Sequence, residues 1–178
     1  QLFDQIQAQA LKSPLTVIDL AGAAKQLVAY NFAEETVADT TRRLADLSTA
    51  LGVPIERLTY NLGQIKSKNV LDARDARDFA NAGFAIVPML AQMYTAQKKN
   101  GDQVVTTAQV YDMMTKKMVT YSDVMDVINK QTNDGGMFFN FQAKQAETLR
   151  GQMSNLVDSF NMMLNDMGKD NEGIMKGS

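Results

Sequence analysis

Acidic side chains are the only abundant groups in this sequence able to move protons or hold a metal ion. The chain has no cysteine and no histidine. That removes disulfides, thiolate metal sites, a cysteine nucleophile, imidazole ligands and the usual general base. Ser-His-Asp, Cys-His and zinc-water hydrolysis go with them. Paired carboxylates remain, and the enzyme they would fit best is a glycosidase. Glu34-Glu35 and Asp75-Asp78 are the candidate pairs, and both read more simply as solvated helix surface. Asp78, Asp112 and Asp126 fall at one offset in three related segments, where a carboxylate cluster could form. Each is instead expected on the polar face of a helix, opposite inward apolar residues. Asp166, Asp170 and Glu172 depart from the spacing of an EF-hand loop, so no bound metal is expected there. No catalytic residue, cofactor or metal ligand is assigned, and the chain is expected not to be an enzyme.

The elements that carry these residues follow from composition and periodicity. With 178 residues, 45% of them hydrophobic, the chain can bury the core of a single domain. Three prolines, no tryptophan, and recurrent Ala, Gln, Leu and Met favour helix over sheet. A net charge of -2 with scattered Lys and Arg offers no basic stripe for a phosphate backbone. No apolar run approaches the roughly 20 residues of a bilayer span, and Gln1-Leu2-Phe3-Asp4 lacks the features of a signal peptide. No membrane anchor is expected in this segment. The absence of Met at position 1 reads as a fragment of a longer protein.

Leu15, Ile18, Leu20, Leu27 and Val28 predict a helix from Leu15 to Tyr30, with Pro14 in its first turn. Val37, Leu44, Leu47 and Leu51 predict a second from Thr36 to Leu51, stopped by Gly52. Pro54 opens a third, in which Ile55, Leu58, Leu62 and Ile65 face inward and which ends by Asn69. The short connection makes the second and third a helical hairpin. After a stop at Gly83, the stripe Phe84, Val87, Leu90, Met93 and Tyr94 predicts another buried helix, followed by an exposed turn over 98–102.

An internal echo organises the second half. Leu71-Asp72-Ala73-Arg74-Asp75 is repeated in type at Val105-Thr106-Thr107-Ala108-Gln109 and at Val119-Thr120-Tyr121-Ser122-Asp123. Each has an apolar residue, a capping oxygen, and an acid or amide three residues later, the pattern of a capping box with an apolar staple before it. Short helices are therefore expected to start at Asp72, Thr106 and Thr120. Asn133-Asp134-Gly135-Gly136 predicts a hinge, and Met137 to Phe141 an apolar plug behind it. Leu149, Met153, Leu156, Phe160, Met163 and Met167 then recur at alternating spacings of four and three, a heptad stripe. Such a stripe either docks on its own domain, the commoner use, or pairs with a second copy or another partner. The expected fold is all-α: one domain over 1–178, with a body of short helices and hairpins over 1–134. Residues 135–178 form the glycine-aromatic step and a longer amphipathic helix.

From about Leu15 to Gly168 the chain resembles the tape measure domain of tailed phages and prophages. Leu62-Gly63-Gln64-Ile65-Lys66 is similar to the family's segment before its first small repeat, and Asp72 to Gly83 to its capped helix ending in Ala-Gly. Met113 to Thr120 resembles its second capped turn, and Gly135-Gly136-Met137-Phe138 its glycine-aromatic step. Thr148-Leu149-Arg150-Gly151 followed by Ser154-Asn155-Leu156-Val157-Asp158-Ser159 is the most specific element. Where the family often has Gly before its capped turns this chain has Asn69 and Lys117, and the resemblance implies left-handed turns at both. It also implies an architectural role. Such a protein lies in the tail tube, sets tail length, and leaves ahead of the DNA at genome ejection. The implied partners are tail tube, baseplate or tail assembly chaperone proteins and sister copies in a homo-oligomer. The implied location is the virion tail, and the bacterial host cytoplasm during assembly. As one continuous helix 178 residues would reach only about 270 Å, so this chain would be part of such a ruler.

The alternative is a helix-turn-helix-like nucleic-acid-binding or regulatory module formed by Thr106 to Lys116 and Thr120 to Gln131. Its second helix carries Asp123 and Asp126 against Lys130 alone, a poor charge for a major groove, and no specific nucleic acid is expected.

Overall fold

The computed structural model describes residues 1–10 and 15–176; the side chains of residues 148–153, 156 and 169–176 lie outside the described set. Nine helices make up almost all of it: α1 (Leu2–Ala10), α2 (Val17–Ala29), α3 (Glu34–Leu51), α4 (Ile55–Lys68), α5 (Ala73–Asn81), α6 (Ile86–Ala96), α7 (Thr107–Thr115), α8 (Tyr121–Thr132) and α9 (Phe141–Lys176). A four-residue extended segment, Lys99–Asp102, fills the expected turn between α6 and α7. The all-α expectation holds.

Helices α2, α3 and α4 pack on one another and bury Leu20, Leu27, Leu44, Leu47, Leu58, Leu62 and Ile65. The apolar stripe of α4 spaces these residues at three and four, which is why one helix can serve two neighbours. The first predicted helix begins two residues later than expected. Thr16 is extended (φ -77°, ψ 163°) and caps α2: its Oγ1 accepts the Asp19 N–H at 3.1 Å, and Asp19 Oδ2 accepts the Thr16 N–H at 3.2 Å. Ile18, counted in the stripe, is 82% exposed. Pro14 lies outside the described residues. Gly52 ends α3 at φ 68°, as read, with its N–H donated to Ser48 O.

The internal echo is a set of three helix starts. Asp72, Thr106 and Thr120 are all N-caps, and Leu71, Val105 and Val119 before them are all buried. Copies one and three also meet: the Leu71 N–H donates to Val119 O at 2.9 Å and the Tyr121 N–H to Asn69 O at 3.1 Å. Both left-handed turns are present without glycine, with Asn69 at φ 62° and Lys117 at φ 58°. The expected stripe of α6 is buried throughout, with Tyr94 fully enclosed and its hydroxyl donating to Asp123 Oδ2 at 2.8 Å. Across the two halves, Lys66 Nζ lies 5.4 Å from the Phe32 ring centre and 5.3 Å from that of Tyr121, whose hydroxyl burial pushes up to about 12.

Candidate functional site

The long helix α9 is tied to the body at its first turn by α3. Asp46, on the inner face of α3, is fully buried; its Oδ1 accepts the Gln142 N–H at 3.0 Å and its Oδ2 lies 3.3 Å from Arg42 Nη1. Gln142 Nε2 donates to Arg42 O at 3.2 Å, and Ala146 is buried one turn on. Burial pushes the Asp46 carboxyl above its ordinary value, against the Gln142 hydrogen bond and Arg42, which act to lower it. Arg43 braces the preceding turn, donating from Nη1 to Thr132 Oγ1 at 2.9 Å and to Asn133 Oδ1 at 2.7 Å while its Nε pairs with Asp39 at 2.7 Å. Burial raises Asp39, but Arg43 and Arg42 bring it below its usual value.

At the expected hinge the chain folds as a compact turn. Gly135 stands at φ 86°, and a Cβ on Gly136 would come within 2.4 Å of Gln131 O. The Phe138 N–H donates to that same Gln131 O at 2.9 Å. Of the expected plug, Phe138 reaches Phe84, with ring centres 6.1 Å apart, whereas Met137 is exposed.

Beyond this anchor α9 leaves the body. Every described side chain from 154 to 168 is exposed. In the predicted stripe, Phe160, Met163 and Met167 are 54%, 50% and 55% exposed, and the side chains of Leu149, Met153 and Leu156 lie outside the described residues. Phe160, Met163 and Met167, the described part of the stripe, are therefore not docked on the chain's own domain. Val157 and Leu164 widen the apolar strip, and Met162 lies on the opposite side of the helix. No family model, known protein or solved structure matches this chain. What the surface can do follows from its side chains. Among the described residues, Val157, Phe160, Met163, Leu164 and Met167 form uncovered apolar surface, of a kind that in proteins marks contact sites, and thioethers adapt readily to varied neighbours.

The carboxylates are dispersed. Asp78 is half-buried on α5, while Asp112 on α7 and Asp126 on α8 are exposed. Among the described residues no three acidic side chains form a group able to hold a metal. Glu34 and Glu35 are solvated in the first turn of α3, as read. Asp75 corrects the reading of a solvated surface: it is buried, and Lys68 Nζ bridges it at 2.5 Å and Asp72 at 2.7 Å. Burial raises Asp75, whereas Lys68 and the Asp75 N–H bring Asp72 below its ordinary value despite burial. Lys68 and Asp72 line a 680 Å³ groove with Leu71, Tyr111 and Met114, and Asp75 lies buried behind them. With Lys68 spanning both acids, they act as a corner tie between the end of α4 and the start of α5.

The pair read as helix-turn-helix exists as α7 and α8, and both pack on α6. Asp123 is occupied there as the partner of the Thr120 cap and of Tyr94. Sequence reading missed Asp46, Arg42 and Arg43 as the anchor of α9. Their partners lie 86 to 100 positions away, and no local signal marks such pairs. The Thr16-Asp19 box, by contrast, obeys the same capping rule that found the other three.

Proposed function

We propose that this chain is a structural and assembly domain of a tailed-phage or prophage tail tape measure protein, acting by protein association and not by catalysis. The observation that carries this is the uncovered apolar strip on a helix rooted through Asp46 in a body of packed short helices. An enzyme of this size would be expected to gather its reactive groups in a cleft; here the apolar surface is instead gathered on a projecting rod. The residues shared with tape measure domains support the specific assignment. In that setting α9 engages sister copies and tail tube, baseplate or chaperone proteins, in the bacterial cytoplasm during assembly and in the virion tail afterwards. The domain helps set tail length and is released at genome ejection.

Two measurements test this. Light scattering of the chain over a concentration series is expected to show an oligomer that Phe160→Asp and Met163→Asp convert to monomers with unchanged helical circular dichroism. A wild-type monomer at every concentration counts against self-association. In the intact tail protein, an insertion of 28 residues in heptad register after Gly168 is expected to lengthen tails by about 42 Å, at 1.5 Å per helical residue. Tails of unchanged length in electron micrographs would rule out a ruler.

A further inference from the structure

The body has an open surface of its own, built from α5, α6 and α7, whereas α9 is rooted on α3. The 680 Å³ groove lined by Leu71, Asp72, Met114 and Lys117 runs into a hollow of 460 Å³ lined by Ala76, Arg77, Ile86 and Val87. Ala73 and Tyr111 line both, so the two form one trough. Its floor is apolar: Leu71, Ala76, Ile86, Val87 and Met114 are all buried, while the Tyr111 ring between the hollows is 51% exposed. Each hollow has the size of a ligand pocket, roughly 300–1,000 Å³.

The charges along this trough are of one sign wherever they are unspent. Asp72 is the one acid among its described lining residues, and both its oxygens are engaged: Oδ2 by Lys68 Nζ at 2.7 Å and Oδ1 by the Asp75 N–H at 2.9 Å. Lys117 in the groove and Arg77 in the hollow make no side-chain ion pair or hydrogen bond, and neither does Arg74, exposed one turn before Arg77 on α5. These cations stand out on a chain whose net charge is -2. Lys117 also holds φ 58°, where glycine would be less strained, so the backbone carries a cost that the ammonium at the groove could repay. We propose that the trough is a docking site for an acidic peptide segment of another protein, with apolar side chains in the two hollows and carboxylates on Lys117 and Arg77. The planar guanidinium of Arg77 suits a carboxylate held through two hydrogen bonds, and Lys117 meets a second one as a point charge. The site lies on the body and stands whether or not α9 self-associates.

The chain has no tryptophan, so a tryptophan-bearing probe reports its own binding without background. The probe is a capped peptide Asp-Glu-Trp-Leu-Glu-Asp, its control the same peptide with Lys at all four acidic positions, and the readout is tryptophan fluorescence anisotropy with the full chain. The acidic peptide is expected to bind and the basic one not to, with binding weakened at about 1 M salt, where the Debye length is about 3 Å. Lys117→Gly and Arg77→Gln are each expected to weaken it about threefold, the size of one exposed ion pair. Lys117→Gly relieves the backbone while it removes the charge, and Arg77→Gln should leave the helical circular dichroism unchanged, so neither loss can be put down to a damaged fold. No binding of the acidic peptide up to about 1 mM would overturn the proposal. So would equal binding of the basic peptide, or acidic-peptide binding that both substitutions leave unchanged. Displacement of the peptide by a short single-stranded oligonucleotide at lower concentration than by unlabelled peptide would also overturn it, reassigning the trough to nucleic acid.

Discussion

Asp46 ties the projecting helix to the body, and two substitutions there separate its hydrogen bond from its charge. Asp46→Ala removes the acceptor of the Gln142 N–H, made at 3.0 Å in a place with no solvent access to the side chain. A buried donor left without a partner costs about 1–3 kcal/mol. Arg42 loses less, roughly 1 kcal/mol or under, because it is partly exposed and also pairs with Asp39 at 3.3 Å. The expected loss is about 2–3 kcal/mol. Asp46→Asn keeps an oxygen for Gln142, and burial already works against the charge, so it is expected to cost under about 1 kcal/mol. Urea unfolding followed by circular dichroism gives the global values, and amide exchange at Gln142 reports the anchor itself. The sign with pH is fixed as well. The folded value of Asp46 is raised, so its contribution to stability is full below the unfolded value and is lost as pH rises through the folded one. Wild type should therefore gain on Asp46→Asn as pH falls through the carboxylate range. Asp72, held low, acts in the opposite sense but is common to the two proteins and cancels in the difference; Asp39, also held low, cancels only in the part it owes to Arg43, because it shares Arg42 with Asp46. An alanine variant as stable as the asparagine one, with Gln142 still protected, would refute this account of the anchor.

Three further outcomes are expected. A Cβ at Gly63 would lie 2.3 Å from the Tyr30 ring, so Gly63→Ala should destabilise by about 1–3 kcal/mol. In a Tyr30→Ala background the same change should stabilise by up to about 1 kcal/mol through helix propensity, and urea midpoints across the four proteins would expose a missing sign change. Lys117→Gly removes a side chain from φ 58° and should stabilise by about 0.5–1 kcal/mol; a lower Tm would contradict that. Thr120→Ala should cost about 1 kcal/mol in thermal unfolding and Thr120→Ser should restore most of it, since the hydroxyl accepts the Asp123 N–H at 3.2 Å; equal stability of Ala and Ser variants would exclude the cap as the cause.

Much of the body was legible in the sequence because its signals are local. A cap such as Thr106 with Gln109, a stop such as Gly52, and a stripe such as Leu58, Leu62 and Ile65 each act within one or two turns, where spacing alone determines the contact. Helix boundaries slipped where a cap went unrecognised, as at Thr16. Asp75 was misread because its surroundings come from another helix: Lys68 approaches it from α4 across the Asn69 turn, and burial follows from that approach. The strip on α9 was visible as a heptad pattern, but periodicity says only that a face is apolar. Whether the face is covered depends on where the helix points, and that is set by Asp46 and Arg43, far away in the chain.

Rooted at one end and bare along much of its length, α9 also lacks a reason of its own to stay wound. Ser154, Asn155, Ser159, Asn161, Asn165 and Gly168 are weak helix formers, and the described side chains from 154 to 168 are all exposed, so burial does little to offset them. The rod and the body therefore melt as different kinds of object. The body is expected to unfold cooperatively and the rod to follow a shallow helix–coil equilibrium, which any partner that binds the wound form would draw toward helix. Each binding event on this surface thus includes a winding step, and its enthalpy and heat-capacity change belong to the helix as much as to the interface.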